Sequence, residues 1–206
     1  MKKLYLLRHG QTEFNVKKLV QGRCDSPLTD LGRQQAGMAA AWLKAHGVVP
    51  DKVVSSPLGR AMDTASLVAC ELLGPDAAAE PCEGIIERCY GSFEEGPHGA
   101  LPTDVWDPGE DLVPFGGEGS QALQERMVDA LTNIMGSEGI ETLLAVSHGS
   151  ASRQFIKAAA PEGFELPTKL PNCAIMIFGF DDAREEDDTP QCKFTLQQIV
   201  DPQQSH

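Results

Sequence analysis

The chain has 206 residues, 41% of them hydrophobic and 23% charged, with a formal net charge of −13 at pH 7. This is the composition of one ordinary globular domain, residues 1–206, and no run approaches the roughly 18 consecutive apolar residues of a membrane span. So negative a molecule repels nucleic acid and anionic membrane surfaces, which argues against both as partners, and an anionic ligand would need a pocket that is locally positive.

The first seven residues, "MKKLYLL", imitate a signal peptide, but the four apolar residues stop at Arg8-His9. That is too short for the apolar region of a secretion signal. The expectation is a first strand, KLYLL (3–7), in a cytoplasmic protein. Thr29 reads as the N-cap of a helix ending near Gly47. A second strand, KVVSS (52–56), precedes a helix from about Leu58 to Leu73. A third helix starts at Ser120 and carries Leu123, Met127, Ala130 and Ile134 at helical spacing. The strand TLLAVSH (142–148) leads into a fourth helix. AIMIFGF (174–180) and KFTLQQIV (193–200) read as a hairpin with an acidic tip, DDAREEDDTPQC. Alternating strands and helices predict an α/β fold: a mostly parallel central sheet in a three-layer sandwich, helices on both faces. Residues 92–117 break the pattern with five glycines and four prolines. An insertion of that length inside a compact domain predicts a lid. The six cysteines contain no C-x-x-C pair and predict free thiols, with Cys89 the one closest to the presumed site.

Ligands of open α/β sheets bind beyond the carboxyl ends of the strands. Three strand ends here carry basic residues: Arg8-His9-Gly10, then Arg60 one turn into its helix, then Ser147-His148-Gly149. Side by side, they would gather two arginines and two histidines, with helix-start N–H groups near Gly149. A phosphoryl group suits that cluster. Arginine's fork pairs with phosphate oxygens, and neutral histidine is a nitrogen nucleophile near pH 7. Glu87, ending an apolar run, is the acid placed to protonate a leaving alkoxide. Glycine loops of the nucleotide-binding kind and a G-x-S-x-G elbow are both missing.

The ordered blocks LRHGQTEFN, QGRCDSPLTDLGRQQA, VVSSPLGRAMDTA, IIERCYGSFEE, GGEGS and AVSHG resemble the histidine phosphatase superfamily in its phosphoglycerate-mutase-like branch. The resemblance runs from residue 4 to about 155. It implies that His9 forms a phosphohistidine, that Arg8, Arg60 and His148 hold the phosphoryl oxygens, and that Glu87 is the proton donor. Asn15 matches a phosphate-contacting position, and Arg88 and Gly149 are added as substrate-binding residues. Thr12 and Ser55 are expected to support the site from behind. No metal and no cofactor are implied. An added glycine in Gly116-Gly117-Glu118-Gly119-Ser120 departs from the family's usual G-G-E-S, so Glu118 receives no role.

The family contains phosphatases and mutases. Residues 92–117 carry six acids (Glu94, Glu95, Asp104, Asp107, Glu110 and Asp111) and neither lysine nor arginine. That favours a phosphatase acting on a small phosphomonoester whose remainder is neutral or cationic. A phosphoglycerate mutase is the alternative, and a non-catalytic module that binds phosphorylated ligands is the alternative of another class. The partner expected is the small phosphorylated substrate itself; a homodimer is the one assembly kept open.

Overall fold

The computed structural model describes residues 1–182 and 192–204, and the acidic hairpin tip expected at 181–192 lies mostly outside them. Six strands form one sheet: β1 (Lys2–Arg8), β2 (Lys52–Ser55), β3 (Glu80–Pro81), β4 (Thr142–Ser147), β5 (Ile175–Phe180) and β6 (Phe194–Val200). Their order is β3-β2-β4-β1-β5-β6. The first four run parallel, whereas β5 and β6 are antiparallel to their neighbours. Five α-helices lie among the described residues: α1 (Glu13–Lys17), α2 (Asp30–Ala45), α3 (Gly59–Leu73), α4 (Ser120–Met135) and α5 (Gly149–Ala159). The α/β sandwich is as expected. The two-residue β3 and five-residue α1 were not, being too short to show a period.

Side chains of β1 alternate between two cores, as the pleat requires. Leu4 and Leu6 join the α4 and α5 side; Tyr5 and Leu7 join the α2 and α3 side. The two cores differ in grain. On one, Phe155 packs edge-on against Phe178 and Phe194, with ring centroids 4.9 and 5.0 Å apart. On the other, Ala36, Ala39, Ala40, Ala61, Ala65 and Ala69 let α2 and α3 lie close to the sheet. Thr29 caps α2 as expected, accepting from the Gly32 N–H at 3.0 Å. The fully buried face of α4 is Leu123, Met127, Leu131 and Met135, one residue round from expectation, with Ala130 and Ile134 on its flank. No helix among the described residues is long and apolar enough to cross a membrane.

Candidate active site

Parallel pairing of β1 with β4 places Arg8 opposite Ser147, so the next residues, His9 and His148, leave the sheet together. The His9 N–H donates to the Ser147 carbonyl at 2.9 Å, and the two imidazoles tilt at 58° with centroids 5.1 Å apart. Arg60 arrives from the first turn of α3, where the Asp25 carboxylate accepts from the Gly59 and Arg60 N–H groups. Arg8, His9, Arg60 and His148 are 4%, 2%, 1% and 0% exposed. Burial, together with the charges of Arg60 and Arg8, holds both histidines well below the ordinary imidazole value, so both are neutral at pH 7. Burial also lowers Arg8, to about 10, which leaves it cationic.

A hydrogen bond fixes the tautomer of His9. His9 Nδ1 lies 2.7 Å from the Gly10 carbonyl oxygen; an oxygen there only accepts, so Nδ1 carries the proton and Nε2 keeps a free lone pair. His148 Nε2 is 2.7 Å from Ser56 Oγ, which accepts from the Leu58 N–H at 3.4 Å. The serine hydroxyl can donate to Nε2 or accept from it. His148 Nδ1, Arg8 Nε and Arg60 Nε are all buried and have no hydrogen-bond partner among the described residues. Buried polar groups rarely go unpaired. Three around one site mark a place for an acceptor-rich guest.

The Nη groups of both arginines grip backbone, and Arg60 Nη1 also pairs with the Asp25 carboxylate at 3.2 Å. Arg60 Nη1 and Nη2 donate to the Cys24 and Gly22 carbonyls, each at 2.7 Å. Arg8 Nη1 donates to the Leu170 carbonyl, and its guanidinium faces the Trp106 ring 5.1 Å from the centroid. Above them opens a cavity of about 240 Å³, lined by residues that include Arg8, His9, Asn15, Arg60, Glu87, Trp106 and Gly149. Glu87 stands on its wall with the carboxylate at the start of α5. Oε1 accepts from the Arg88 and Ala151 N–H groups at 2.8 and 2.9 Å, and Oε2 from the Ser150 N–H at 3.2 Å. The site therefore sets a lone-pair-bearing imidazole nitrogen, two guanidinium groups and one carboxylate around a single cavity.

A family model described as the histidine phosphatase superfamily, branch 1, matches residues 4–189. The chain belongs to that superfamily. Among its relatives, the "Probable phosphoglycerate mutase GpmB" of Cronobacter sakazakii is 32% identical over 85% of this chain and 83% of its own. A broad-specificity phosphatase of Saccharomyces cerevisiae is 32% identical over 75% of this chain and 69% of its own. A solved phosphoserine phosphatase mutant of Entamoeba histolytica, in complex with phosphoserine, superposes with a TM-score of 0.73 at 27% identity, covering 98% of both chains. The phosphoglycerate mutase of Bacillus anthracis, at 21% identity and a TM-score of 0.78 over 98% of this chain and 94% of its own, shares the fold.

In this member of the superfamily, most of the residues singled out from sequence surround the cavity, and some do other work. His148 is fully buried beside His9, with ring centroids 5.1 Å apart and Nδ1 without a partner among the described residues. Asn15 lines the cavity; its Oδ1 accepts from the Thr12 N–H and from Asn172 Nδ2, each at 3.2 Å. Thr12 returns the contact, capping α1. Ser55 instead donates to the Ser56 carbonyl at 2.9 Å, and Ser56 is the serine that reaches His148. Arg88 is a correction. It is fully buried, off the cavity wall, and donates to Ser150 Oγ, Ser120 Oγ and the Glu118 and Gly109 carbonyls. With all three guanidinium nitrogens engaged, it ties segment 92–117 to α4 and α5 rather than touching substrate. Glu118 pairs with Arg126, which also donates to the Glu87 carbonyl.

The acids of 92–117 do not make the cavity repel anions, contrary to expectation. None of the six lines the cavity. Glu94 accepts from the Tyr90, Arg23 and Cys24 N–H groups, Asp107 pairs with Lys157 and Gln154, and Glu110 accepts from the Gln121 N–H at the start of α4. The side chains that segment does supply to the cavity are His98, Val105 and Trp106. Sequence reasoning missed Trp106 as a wall residue, and also Lys18, Lys169 and Asn172. Cys89 lies with its sulfur 3.6 Å from the Gly116 carbonyl, and no disulfide forms among the described residues.

Two glycine positions decide how closely the parts approach. A Cβ on Gly10 would stand 2.4 Å from the Gly32 oxygen, and one on Gly32 would stand 2.1 Å from the Gln11 oxygen. The turn after His9 thus rests backbone-to-backbone on the first turn of α2. A Cβ on Gly149 would stand 2.6 Å from the Trp106 ring, so the missing side chain is what lets Trp106 reach Arg8.

Proposed function

We propose that this protein is a metal-independent phosphatase of the cytoplasm that hydrolyses a small phosphomonoester through a phosphohistidine on His9. The observation that carries the reading is the Nδ1–H bond of His9 to the Gly10 carbonyl at 2.7 Å, which leaves Nε2 unprotonated inside a cationic cage. Nε2 attacks phosphorus as the ester P–O bond breaks, and Glu87, carrying a proton, gives it to the departing alkoxide. The Arg8 and Arg60 guanidinium groups and the His148 Nδ1–H take up the charge on the equatorial oxygens. Glu87, now a carboxylate, next removes a proton from water attacking the phosphohistidine. Phosphate leaves, and both His9 and Glu87 return to their starting states. The related broad-specificity phosphatase and the phosphoserine phosphatase fold support hydrolysis.

The test is release of inorganic phosphate from a panel of phosphomonoesters, without added metal, by wild-type and His9→Ala protein. Wild type should release phosphate and form an acid-labile, base-stable phosphoprotein, and His9→Ala should do neither. A mutase is the second reading, favoured by the GpmB relative. Phosphorus NMR on 3-phosphoglycerate with a trace of 2,3-bisphosphoglycerate separates the two. Formation of 2-phosphoglycerate without free phosphate would overturn the hydrolase.

A further inference from the structure

The turn that carries His9 is held by side chains from distant parts of the chain. His9 Nδ1 donates to the Gly10 carbonyl at 2.7 Å. That carbonyl shares one planar trans peptide with the Gln11 N–H, which points the opposite way. The Gln11 N–H donates to Gln35 Oε1 at 2.9 Å. Whatever holds Gln35 therefore sets the plane of the acceptor that His9 uses. The plane needs holding, because a glycine at position 10 has no Cβ to restrict its own dihedrals.

Gln35 is buried in the second turn of α2, and its Nε2 donates to Gln203 Oε1 at 2.9 Å. Gln203 lies in the turn after β6. Its Nε2 donates to the Asn172 carbonyl at 3.1 Å and to Asp201 Oδ1 at 3.2 Å. Asn172 Nδ2 in turn donates to the His9 carbonyl at 3.1 Å. The direction of every amide is forced. A backbone N–H only donates, so Gln35 presents oxygen to Gln11 and nitrogen to Gln203. Gln203 then presents oxygen to Gln35 and nitrogen to a carbonyl, which only accepts. The chain of amides closes around residues 9–11 without a mismatch. From the other side, Thr64 Oγ1 accepts from the Gly10 N–H at 3.1 Å while donating to the Arg60 carbonyl at 2.7 Å.

We infer that Gln35 and Gln203 are positioning residues for the nucleophile: through the Gly10–Gln11 peptide they hold the Gly10 carbonyl on His9 Nδ1 and so keep the lone pair on Nε2. This rests on His9 being the nucleophile of the proposed phosphatase. Neither glutamine lines the cavity, so neither acts by touching substrate. The proton of a neutral imidazole sits on whichever nitrogen the surroundings engage. Released from the Gly10 carbonyl, His9 can carry it on Nε2, and in that form the ring has no lone pair to offer phosphorus.

The experiment labels the ring nitrogens of histidine in the full chain and reads tautomers by long-range proton–nitrogen NMR near neutral pH, where His9 is uncharged. The His9 signals are those that vanish in His9→Ala. In resting wild type the proton should sit on Nδ1 alone. Gln35→Leu and Gln203→Leu keep bulk and remove the hydrogen bonds, and each should give a mixture of the two tautomers. In phosphate release, kcat should fall about tenfold in Gln35→Leu and about threefold in Gln203→Leu, with KM within about twofold, the loss of one hydrogen bond felt directly and at one remove. Gln35→Glu keeps an oxygen for the Gln11 N–H and should restore the Nδ1–H tautomer. A merely structural role would lower the melting temperature and leave the tautomer where it is. An unmoved tautomer in both leucine variants overturns the inference. So does a mixture in Gln35→Leu alone, which would leave Gln203 out of the chain. Should Gln35→Leu fail to fold, Gln203→Leu, in its partly exposed turn, decides by the same reading. The tautomer is read without substrate, which keeps the two proposals apart: tautomer control without phosphate release sinks only the phosphatase, and phosphate release with an unmoved tautomer sinks only the positioning role.

Discussion

The floor and the mouth of the cavity are both cationic, but they hold charge in opposite ways. At the floor, Arg8 and Arg60 are sealed from water and clamped by backbone carbonyls, and the histidines beside them are kept neutral. At the mouth, Lys18 and Lys169 are exposed and make no ion pair among the described residues. A buried, oriented guanidinium is already arranged for the charge of a transition state and does not have to reorganise when that charge develops. An exposed ammonium on a flexible stem keeps its hydration and adapts to whatever arrives. Chemistry belongs to the first arrangement, first contact with an arriving anion to the second.

That division can be broken most directly at the floor. Arg60→Ala should lower kcat/KM by about 10³-fold for every phosphomonoester alike, read from steady-state phosphate release. A loss that varied strongly with the substrate's remainder would put selection at the floor as well. Glu87→Gln should lower kcat by about 10²-fold on alkyl phosphates and by less than about tenfold on p-nitrophenyl phosphate, whose phenolate leaves without a proton. Equal losses on both would remove Glu87 as the acid.

The neutral histidines of the floor give a pH signature. Their folded-state values lie well below the ordinary 6.5, so below pH 6.5 the unfolded chain takes up protons that the folded chain refuses. Stability contributed by neutral His9 and His148 is complete above pH 6.5 and declines as pH falls beneath it. The melting temperature should therefore drop between pH 7 and pH 5, and less so in a His9→Gln/His148→Gln protein. The smallest effect is at the mouth. Lys18 sits in the left-handed region at φ 56° and ψ 40°, so Lys18→Gly relieves that backbone and should raise the unfolding free energy by about 0.5 kcal/mol in urea. A loss of stability there would mean that the lysine has a structural partner after all.

The floor was legible in the sequence because each of its residues lies within a few positions of a strand end, and strand ends in this architecture point to one place. Arg8, His9, Arg60 and His148 needed only the sheet order to meet. The walls were not legible. Lys169 and Asn172 come from the stretch between α5 and β5, and Trp106 from the middle of an irregular segment, with no period or motif to place them. Arg88 was misread because an arginine beside a presumed catalytic acid looks like a ligand grip. Its direction depends on Ser120 and Ser150, which start helices far away in sequence. The acids of 92–117 were misread for a similar reason: composition gives their number, and only packing shows that Glu94, Asp107 and Glu110 hold backbone and neighbouring side chains away from the cavity.

The paired glycines Gly10 and Gly32 act as a mechanical stop. The backbone that carries His9 runs on into Gly10, which meets the first turn of α2 with no side chain between to compress. Recoil is limited by peptide against peptide, the stiffest contact a protein can offer. The nucleophile is thus braced against the helix bundle of the alanine-rich core, and a methyl group added at either glycine would loosen the anvil rather than the hammer.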